Sequence, residues 1–394
     1  MNRQQDIYTL WMLSGLASRI AQRLGLHREA HNEGLLPCAI EMRRRIWWFI
    51  VVLDSRMSQL SGSGSSIHSL SFDTLMPTNL DDDTFFSLEL PPKISSAVFC
   101  LVRYEVYSYM QVVKDVSAFD GNWHPMSTSL MTSSAKLSTI NTLEKILDEK
   151  YIQYCDLSIP LHLAAKLTAC SIIAKLRIVA LHPIQHKNGI LGMTNEECDI
   201  VFTDCLTIME WDHAAHTNPM LTKFLWHIET HFQIDAFILM VSEMRRRLQC
   251  PLTDHAWTLV KSVYDHHTRL FNNQNALYCE IGNLVVKAWE EKTRSEADAK
   301  TFGERSSPKY PLIPNYIVKL ASQRVPEDFR QRKAAHSGLF KQLPNQQPSA
   351  NTDNDESMGD DPLGYNPMQM FATMPEMTMD WSFWREMLQA AERQ

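Results

Sequence analysis

The sequence is short of glycine and contains no closely spaced pair of cysteines. Only 13 of its 394 residues are glycine, which argues against a sheet-rich fold with many tight turns. Its eight cysteines follow no regular spacing and include no Cys-x-x-Cys pair. Because zinc fingers, ribbons and clusters need closely spaced ligand pairs, none is encoded in these residues. The cysteines are instead typical of reduced core residues in an intracellular protein.

The sequence also lacks a long apolar run and a surplus of basic residues. No apolar run approaches the roughly 18 residues of a membrane span. The formal net charge is −7, and residues 351–394 hold nine acidic and two basic residues, so the remainder is neutral. A DNA-binding domain usually carries a basic surplus, because neutralising phosphates supplies most of its affinity. These residues therefore do not predict a DNA-contacting surface.

Residues 41–54, EMRRRIWWFIVVLD, form the most distinctive stretch of the chain. Three arginines precede eight apolar residues, and a single acid, Asp54, closes the run. A helix apolar on nearly every side is expected to be wrapped by other helices. A buried carboxylate is costly unless it is paired, so we expect an arginine or a helix N-terminus to meet Asp54.

Helical periodicity continues through most of the first 292 residues, and no stretch alternates cleanly enough to predict a strand. The fold class is therefore all-α, a large multi-helix domain. Other predicted helices cover about 7–24, 94–118, 135–151, 158–182, a segment starting at the capping box Thr194–Glu197, 219–248, 253–271 and 275–291.

The composition changes beyond residue 292. Residues 293–345 are polar, with five prolines, and are predicted to be an extension or linker. Residues 346–379 are rich in Asn, Pro, Asp and Met, and are predicted to be a disordered acidic segment. Residues 380–394 end the chain in a short amphipathic helix whose aromatic and aliphatic side chains predict binding in a groove of another protein. Those side chains are Trp381, Phe383, Trp384, Met387 and Leu388. Packing of this helix back on its own domain is the alternative.

A run of aspartates, Asp81 to Asp83, invites a metal hypothesis. The aspartate-rich motif that binds prenyl diphosphates needs a third acid after two intervening residues, and Phe85 or Phe86 stands there. These aspartates are therefore predicted to cap or solvate a loop.

Two histidine pairs invite a zinc hypothesis. His227 and His231 lie four residues apart, and His213 and His216 lie three apart. HIETH lacks the glutamate directly after the first histidine that a zinc-protease helix uses, and no third ligand is spaced for either pair. No metal site and no catalytic residue are predicted in this chain.

Three segments, RLGLHRE at 23–29, EMRRRIWWFIVVLD at 41–54 and FDTLMPTNLDDD at 72–83, resemble in order and spacing the middle homology region of fungal zinc binuclear cluster transcription factors. The positions that match, together with Arg43, are predicted to be structural. They are Leu24, Gly25, Leu26, His27, Arg28, Glu41, Arg44, Arg45, Trp47, Trp48, Asp54, Pro77, Asn79 and Asp82. Residues 62–64, Gly-Ser-Gly, replace a glycine-arginine-proline loop of the family.

The resemblance implies a nuclear transcriptional regulator rather than an enzyme. Residues 1–292 would be its all-helical regulatory domain, and the C-terminal helix would bind a coactivator or mediator-type protein. Self-association into a homodimer is a further expectation, and membrane binding is not expected. We expect that the given sequence lacks the family's six-cysteine DNA-binding module and the opening helices of its middle region. DNA contact and zinc are therefore expected only through that module or through a partner.

Two alternatives stay open from the sequence. A regulator without its DNA-binding module could sequester partners and act negatively. An all-α enzyme of the terpene-synthase kind would be supported only by the helical core and by Asp81 to Asp83.

Overall fold

The computed structural model describes residues 7–61, 66–81, 94–116, 125–128, 130–186, 192–228, 232–248, 250–301 and 313–323. Within them the chain forms α-helices, short 3₁₀ turns and loops, without a strand, which confirms the all-α prediction. The helices are α1 Ile7–Arg23, α2 Pro37–Ser61, α3 Val98–Val116, α4 Ser133–Lys150, α5 Pro160–Ala180, α6 Asn195–Thr217, α7 Leu225–Ile228, α8 Ile234–Arg246, α9 Pro251–His266, α10 Ala276–Thr301 and α11 Asn315–Ser322.

The described residues fall into two compact units. Residues 7–267 belong to the first unit and residues 268–323 to the second, which contains α10 and α11. The four-part division predicted from composition remains a prediction. Among the helices of the described residues, none combines the length and the apolarity that crossing a bilayer requires.

Local sequence signals explain where several helices begin. Thr194 accepts a hydrogen bond from the backbone N–H of Glu197, and the Glu197 side chain accepts one from the Thr194 N–H, which confirms the predicted capping box of α6. Pro160 opens α5. The single helix predicted over 219–248 is wrong, because α7 and α8 are separate. Gln233 precedes α8 with extended backbone angles (φ −101°, ψ 91°), which a continuous helix cannot contain.

The core of the first unit lies between α2, α3, α4 and α5. Trp47, Val51 and Ile140 are fully buried there, and Trp48 is almost so. Burying an aromatic side chain of this size removes a large apolar area from water, at about 25 cal/mol per Å². These residues therefore place the inner face of α2 in the core of the unit.

One side of α2 departs from the prediction that other helices wrap it completely. Met42, Ile46 and Phe49 follow one another at helical spacing and are all about half exposed. On α1, the helix packed against it, a second apolar stripe is exposed in the same way. That stripe contains Met12, Leu13, Leu16 and Ile20, and Leu24 just after α1 is exposed as well. In the described part of the chain, α1 and α2 thus each carry an exposed apolar stripe.

The end of α1 has the geometry that Leu24-Gly25-Leu26 predicts. Gly25 has φ +71°, and the Leu26 N–H donates to the Ala21 carbonyl at 3.0 Å. This six-residue closure with a left-handed glycine is the Schellman motif. It turns the chain back so that Leu26 is buried while Leu24 stays exposed. A Cβ at position 25 would lie 2.9 Å from the His31 ring.

Three glycine-to-alanine variants test this end of α1. We expect Gly25→Ala to lower the free energy of unfolding by about 1–2 kcal/mol for the left-handed backbone, with the His31 contact adding to that cost. Gly34 also has a positive φ, 79°, but a Cβ there would meet open space, so Gly34→Ala should lower the free energy of unfolding by less. Gly15 lies inside α1, and a Cβ there would have no neighbour within 4 Å. Gly15→Ala should therefore be neutral or stabilising. Urea unfolding followed by circular dichroism measures all three, and equal losses at positions 25 and 34 would contradict the His31 contact.

Candidate functional site

The described motif residues converge on one joint, formed by the end of α1, by α2 and by the segment 66–81. We call residues 66–81 the strap. Apart from one 3₁₀ turn at Ser69–Ser71, the strap has no regular secondary structure. Its backbone polar groups therefore cannot rely on a helical ladder, and buried groups of this kind need other partners.

Arg43 fastens the end of α1 to the start of α2. Its Nε donates to Asn32 Oδ1 at 2.7 Å, and its Nη2 donates to the Leu24 carbonyl at 3.1 Å. Leu24 lies directly after α1, where unpaired carbonyls and the negative end of the helix dipole favour a cation. Arg43 is thus a C-terminal cap supplied by the next helix.

Arg44 forms an ion pair with Glu29, and its Nε donates to Glu29 Oε1 at 3.1 Å. The other oxygen of Glu29 accepts the Leu75 N–H at 3.2 Å. The hydrogen bond from Arg44 lowers the pKa of Glu29, so the carboxylate is charged at neutral pH. This ion pair therefore also binds the middle of the strap.

Arg45 and Glu41 hold the far end of the strap. Arg45 Nε donates to Glu41 Oε1 at 3.0 Å, and Arg45 Nη2 donates to the Leu80 carbonyl at 2.8 Å. Both oxygens of Glu41 lie 3.1 Å from the Thr78 nitrogen. Glu41 is only 3% exposed, so its charge is compensated inside the protein.

The two tryptophans bind the strap through their rings and through one indole N–H. Trp48 Nε1 donates to the Leu75 carbonyl at 3.0 Å. Phe72 of the strap packs edge-on against both Trp47 and Trp48, with ring centroids 5.5 and 5.7 Å apart. The His27 ring lies 5.9 Å from Trp47, and burial, followed by the nearby Arg28 charge, lowers the pKa of His27.

Asp54 is fully buried and accepts hydrogen bonds from the start of the strap. The Ser66 N–H and hydroxyl donate to its two oxygens at 2.9 and 2.8 Å, and the Ile67 N–H donates at 3.3 Å. These groups lie at the start of the strap, and the expectation of an arginine or a helix N-terminus at Asp54 stays a prediction. A carboxylate fits this position because it can accept several such bonds at once.

Asn79 and Asp81 fasten the end of the strap to the start of α3. Asn79 Oδ1 accepts the Ser95 N–H at 2.9 Å and its hydroxyl at 2.7 Å. Asp81 Oδ1 accepts the Ser96 N–H at 2.8 Å and also bonds the Ser96 hydroxyl. Asp81 therefore binds loop groups just before α3, which begins at Val98, and its predicted capping role stays a prediction. Asp82 and Asp83 lie outside the described residues.

In the described part of the chain, the joint positions helices, and its carboxylates face other groups of the protein. Glu29, Glu41, Asp54 and Asp81 are each engaged by guanidinium, amide or hydroxyl groups within the described part of the chain. The structural role predicted for the motif agrees with these contacts and remains a prediction. Trp381, Phe383, Trp384, Met387 and Leu388 lie outside the described residues, so their predicted partner binding also remains a prediction.

Sequence patterns did not reveal a group of partly buried cations in the first unit. Burial, with a smaller effect of Arg103, lowers the pKa of Arg56 to about 10. Burial also lowers the pKa of Lys175 to about 8, with Arg56 adding to the effect and Asp235 opposing it. These residues come from α2, α3, α5 and α8, too far apart in sequence for their spacing to reveal the group.

The structure also regroups the histidines. His216, which the sequence paired with His213, lies beside Asp212 and His267. His267 lies at the end of α9, 51 residues after His216 in the sequence. The spacing rules for metal motifs could not find this third member, because they read only neighbouring positions.

Asp54→Ala tests the joint. The substitution leaves the Ser66 and Ile67 amides without their acceptor, so we expect a loss of about 2–4 kcal/mol in the free energy of unfolding. Asp54→Asn keeps the side-chain shape and one carbonyl acceptor and should lose less. Asp265→Ala is the matched control, because this exposed acid pairs only with Lys261 one turn away, and its loss should stay below about 1 kcal/mol. Urea unfolding measures all three, and a loss at Asp54 no larger than at Asp265 would refute the role of Asp54.

Comparison with known proteins places this joint inside a described family. Residues 2–192 match the family model described as "Fungal specific transcription factor domain". The "Aurofusarin cluster transcription factor aurR2" of Gibberella zeae is 31% identical over 396 residues, which cover 96% of this chain and 58% of that protein. "Transcriptional regulator AacuB" of Aspergillus aculeatus is 25% identical over 75% of this chain and 41% of its own length.

A third relative, "Pyriculol/pyriculariol biosynthesis cluster transcription factor 1" of Pyricularia oryzae, is 25% identical over 86% of this chain and 45% of that protein. The chain thus spans about half the length of these curated relatives. No solved structure matches it significantly. The matched region contains α1, α2, the strap and the helices that bury them, and this part of the chain is similar to the fungal specific transcription factor domain.

Proposed function

We propose that this chain is the regulatory and activating part of a fungal transcriptional regulator of the zinc-cluster type. Its target would be the gene set of one biosynthetic or catabolic pathway. The observation that carries the proposal is the alignment with aurR2, which extends over 96% of this chain. The three relatives described above are named as transcription factors or regulators, and none of those names denotes an enzyme.

The contacts of the joint support a scaffolding role for the first unit. Its motif carboxylates bind guanidinium groups and backbone amides rather than an open cavity. A rigid helical domain of this kind suits a regulator that activates transcription through a separate partner-binding segment. We propose that residues 380–394 are that segment and that they bind a coactivator or mediator-type protein. Their aromatic residues follow an acidic stretch, a pattern that favours docking as a helix in a groove.

DNA contact and nuclear location complete the proposal. Residues 1–350 carry equal numbers of acidic and basic residues, which does not favour binding to a phosphate backbone. We therefore assign DNA recognition to a zinc-containing module outside these residues or to a partner, and we assign the protein to the nucleus. Pairing of two copies would match two half-sites on DNA, in keeping with the expected homodimer.

A reporter assay tests the activating role. The full chain is fused behind a heterologous DNA-binding domain in yeast, and reporter activity is measured against the DNA-binding domain alone. We expect activation by the wild-type chain. Because a few aromatic anchors usually supply most of the energy of such an interface, Trp381→Ala with Trp384→Ala should lower activity about tenfold or more.

The matched control is Ser382→Ala with Gln389→Ala, on the other side of the predicted helix, and it should retain activity. Immunoblots establish that all variants are present at equal levels. Equal activity of the wild type and the tryptophan variant would refute the assigned docking face. Repression of the reporter by the wild-type chain would refute the activator hypothesis and favour a negative regulator.

A further inference from the structure

The C-terminal ends of α6 and α9 bring one carboxylate and two imidazoles together. Asp212 and His216 lie in the last turns of α6, and His267 follows α9 directly. One ligand atom from each of these three residues lies within 4.8 Å of the other two. Asp212 and His267 are 5% and 6% exposed, and the His216 side chain is 7% exposed. Three potential metal ligands thus converge in the interior of the first unit.

A hydrogen bond to a carbonyl orients the His216 imidazole, and a second contact brings the ligand atoms of His267 and Asp212 together. His267 Nε2 lies 3.0 and 2.9 Å from the two oxygens of Asp212. His216 Nδ1 lies 2.8 Å from the Asp212 backbone carbonyl. Because a carbonyl oxygen can only accept, this bond places the proton on Nδ1 and leaves the lone pair of the neutral ring on Nε2. A ring N–H bonded to a carbonyl is the usual way in which proteins orient a metal-binding histidine.

The electrostatics of the cluster favour a cation. The last carbonyls of α6 and α9 give both helix ends partial negative charge, and the Asp212 carboxylate belongs to the end of α6. Two aromatic rings pack against the imidazoles. The ring centroid of Phe232 lies 4.0 Å from that of His267, and the ring centroid of His266 lies 4.6 Å from that of His216. Burial of this kind strengthens electrostatic interactions.

We propose that Asp212, His216 and His267 bind a divalent transition-metal ion of the Zn²⁺ class. Two imidazole nitrogens and one carboxylate oxygen suit Zn²⁺ and its d-block neighbours, whereas Mg²⁺ and Ca²⁺ prefer oxygen ligands throughout. Three protein ligands leave the fourth tetrahedral position for water or a small ligand. The ion would link the ends of α6 and α9, so it would stabilise the first unit independently of the proposed transcriptional role.

Metal titration of the purified full chain tests this site. The protein is stripped with a chelator and titrated with Zn²⁺ by calorimetry, and we expect one tight equivalent together with a rise in the melting temperature. His216→Gln and His267→Gln should each weaken binding at least about tenfold. Asp212→Asn, which keeps the shape of the side chain, should do the same. Mg²⁺ in excess should not compete.

The matched control uses the same two helices. His255 on α9 pairs with Glu210 on α6 at 2.6 Å, and both side chains are about half exposed. His255→Gln also removes one imidazole from a carboxylate, yet it should leave the tight Zn²⁺ equivalent unchanged. If His255→Gln weakens binding as much as His267→Gln does, or if the wild-type chain binds no Zn²⁺ in the micromolar range, the site is refuted.

X-ray absorption at the zinc edge keeps the test decisive even if the histidine variants fail to fold. The wild-type complex should show only nitrogen and oxygen neighbours, at about 2.0–2.2 Å, with the scattering pattern of imidazole. The eight cysteines of the chain are free and could hold Zn²⁺ elsewhere. A sulfur neighbour at about 2.3 Å would therefore overturn the assignment.

Discussion

The first unit depends on how α2 satisfies the backbone of the strap. An irregular segment packed against a core carries N–H and C=O groups that no helix or sheet ladder pairs, and leaving them unpaired costs about 1–3 kcal/mol each. Glu41 and Asp54 accept strap N–H groups, whereas Arg45 and Trp48 donate to strap carbonyls. The residue types of the motif follow from this division, with acids opposite amides and long donors opposite carbonyls.

The pairing of polar groups by α2 side chains also explains the three consecutive arginines, Arg43 to Arg45. Three consecutive residues of a helix point in three directions about 100° apart. Arg43 reaches back to the end of α1, Arg44 reaches Glu29 in the turn that follows it, and Arg45 reaches forward to the strap. One helical turn thereby fixes three separate segments. A lysine would supply the charge but not the fork of donors that lets Arg43 and Arg45 each bind two groups.

The regular parts of the fold could be predicted from the sequence. The glycine stop of α1, the capping box of α6 and the proline that opens α5 are local signals, and each is confirmed. The class of the fold followed from helical periodicity. The break between α7 and α8 was missed, because the apolar pattern of residues 219–248 continues across it.

The joint was predictable only in part. The motif residues could be identified from the sequence, whereas the loop amides that bind Asp54 leave no trace in residue type. The ligand group Asp212, His216 and His267 was not found, because it depends on where two helix ends meet. Side chains that are distant in sequence become neighbours through packing, and single-sequence patterns do not encode that packing directly.

The exposed apolar stripes of α1 and α2 have a consequence for the handling of the purified protein. Monomeric soluble proteins rarely present contiguous apolar surface beyond a few hundred Å². Leucine, isoleucine, methionine and phenylalanine side chains are about half exposed along these two helices. We therefore expect the apparent size of the purified chain to rise with its concentration.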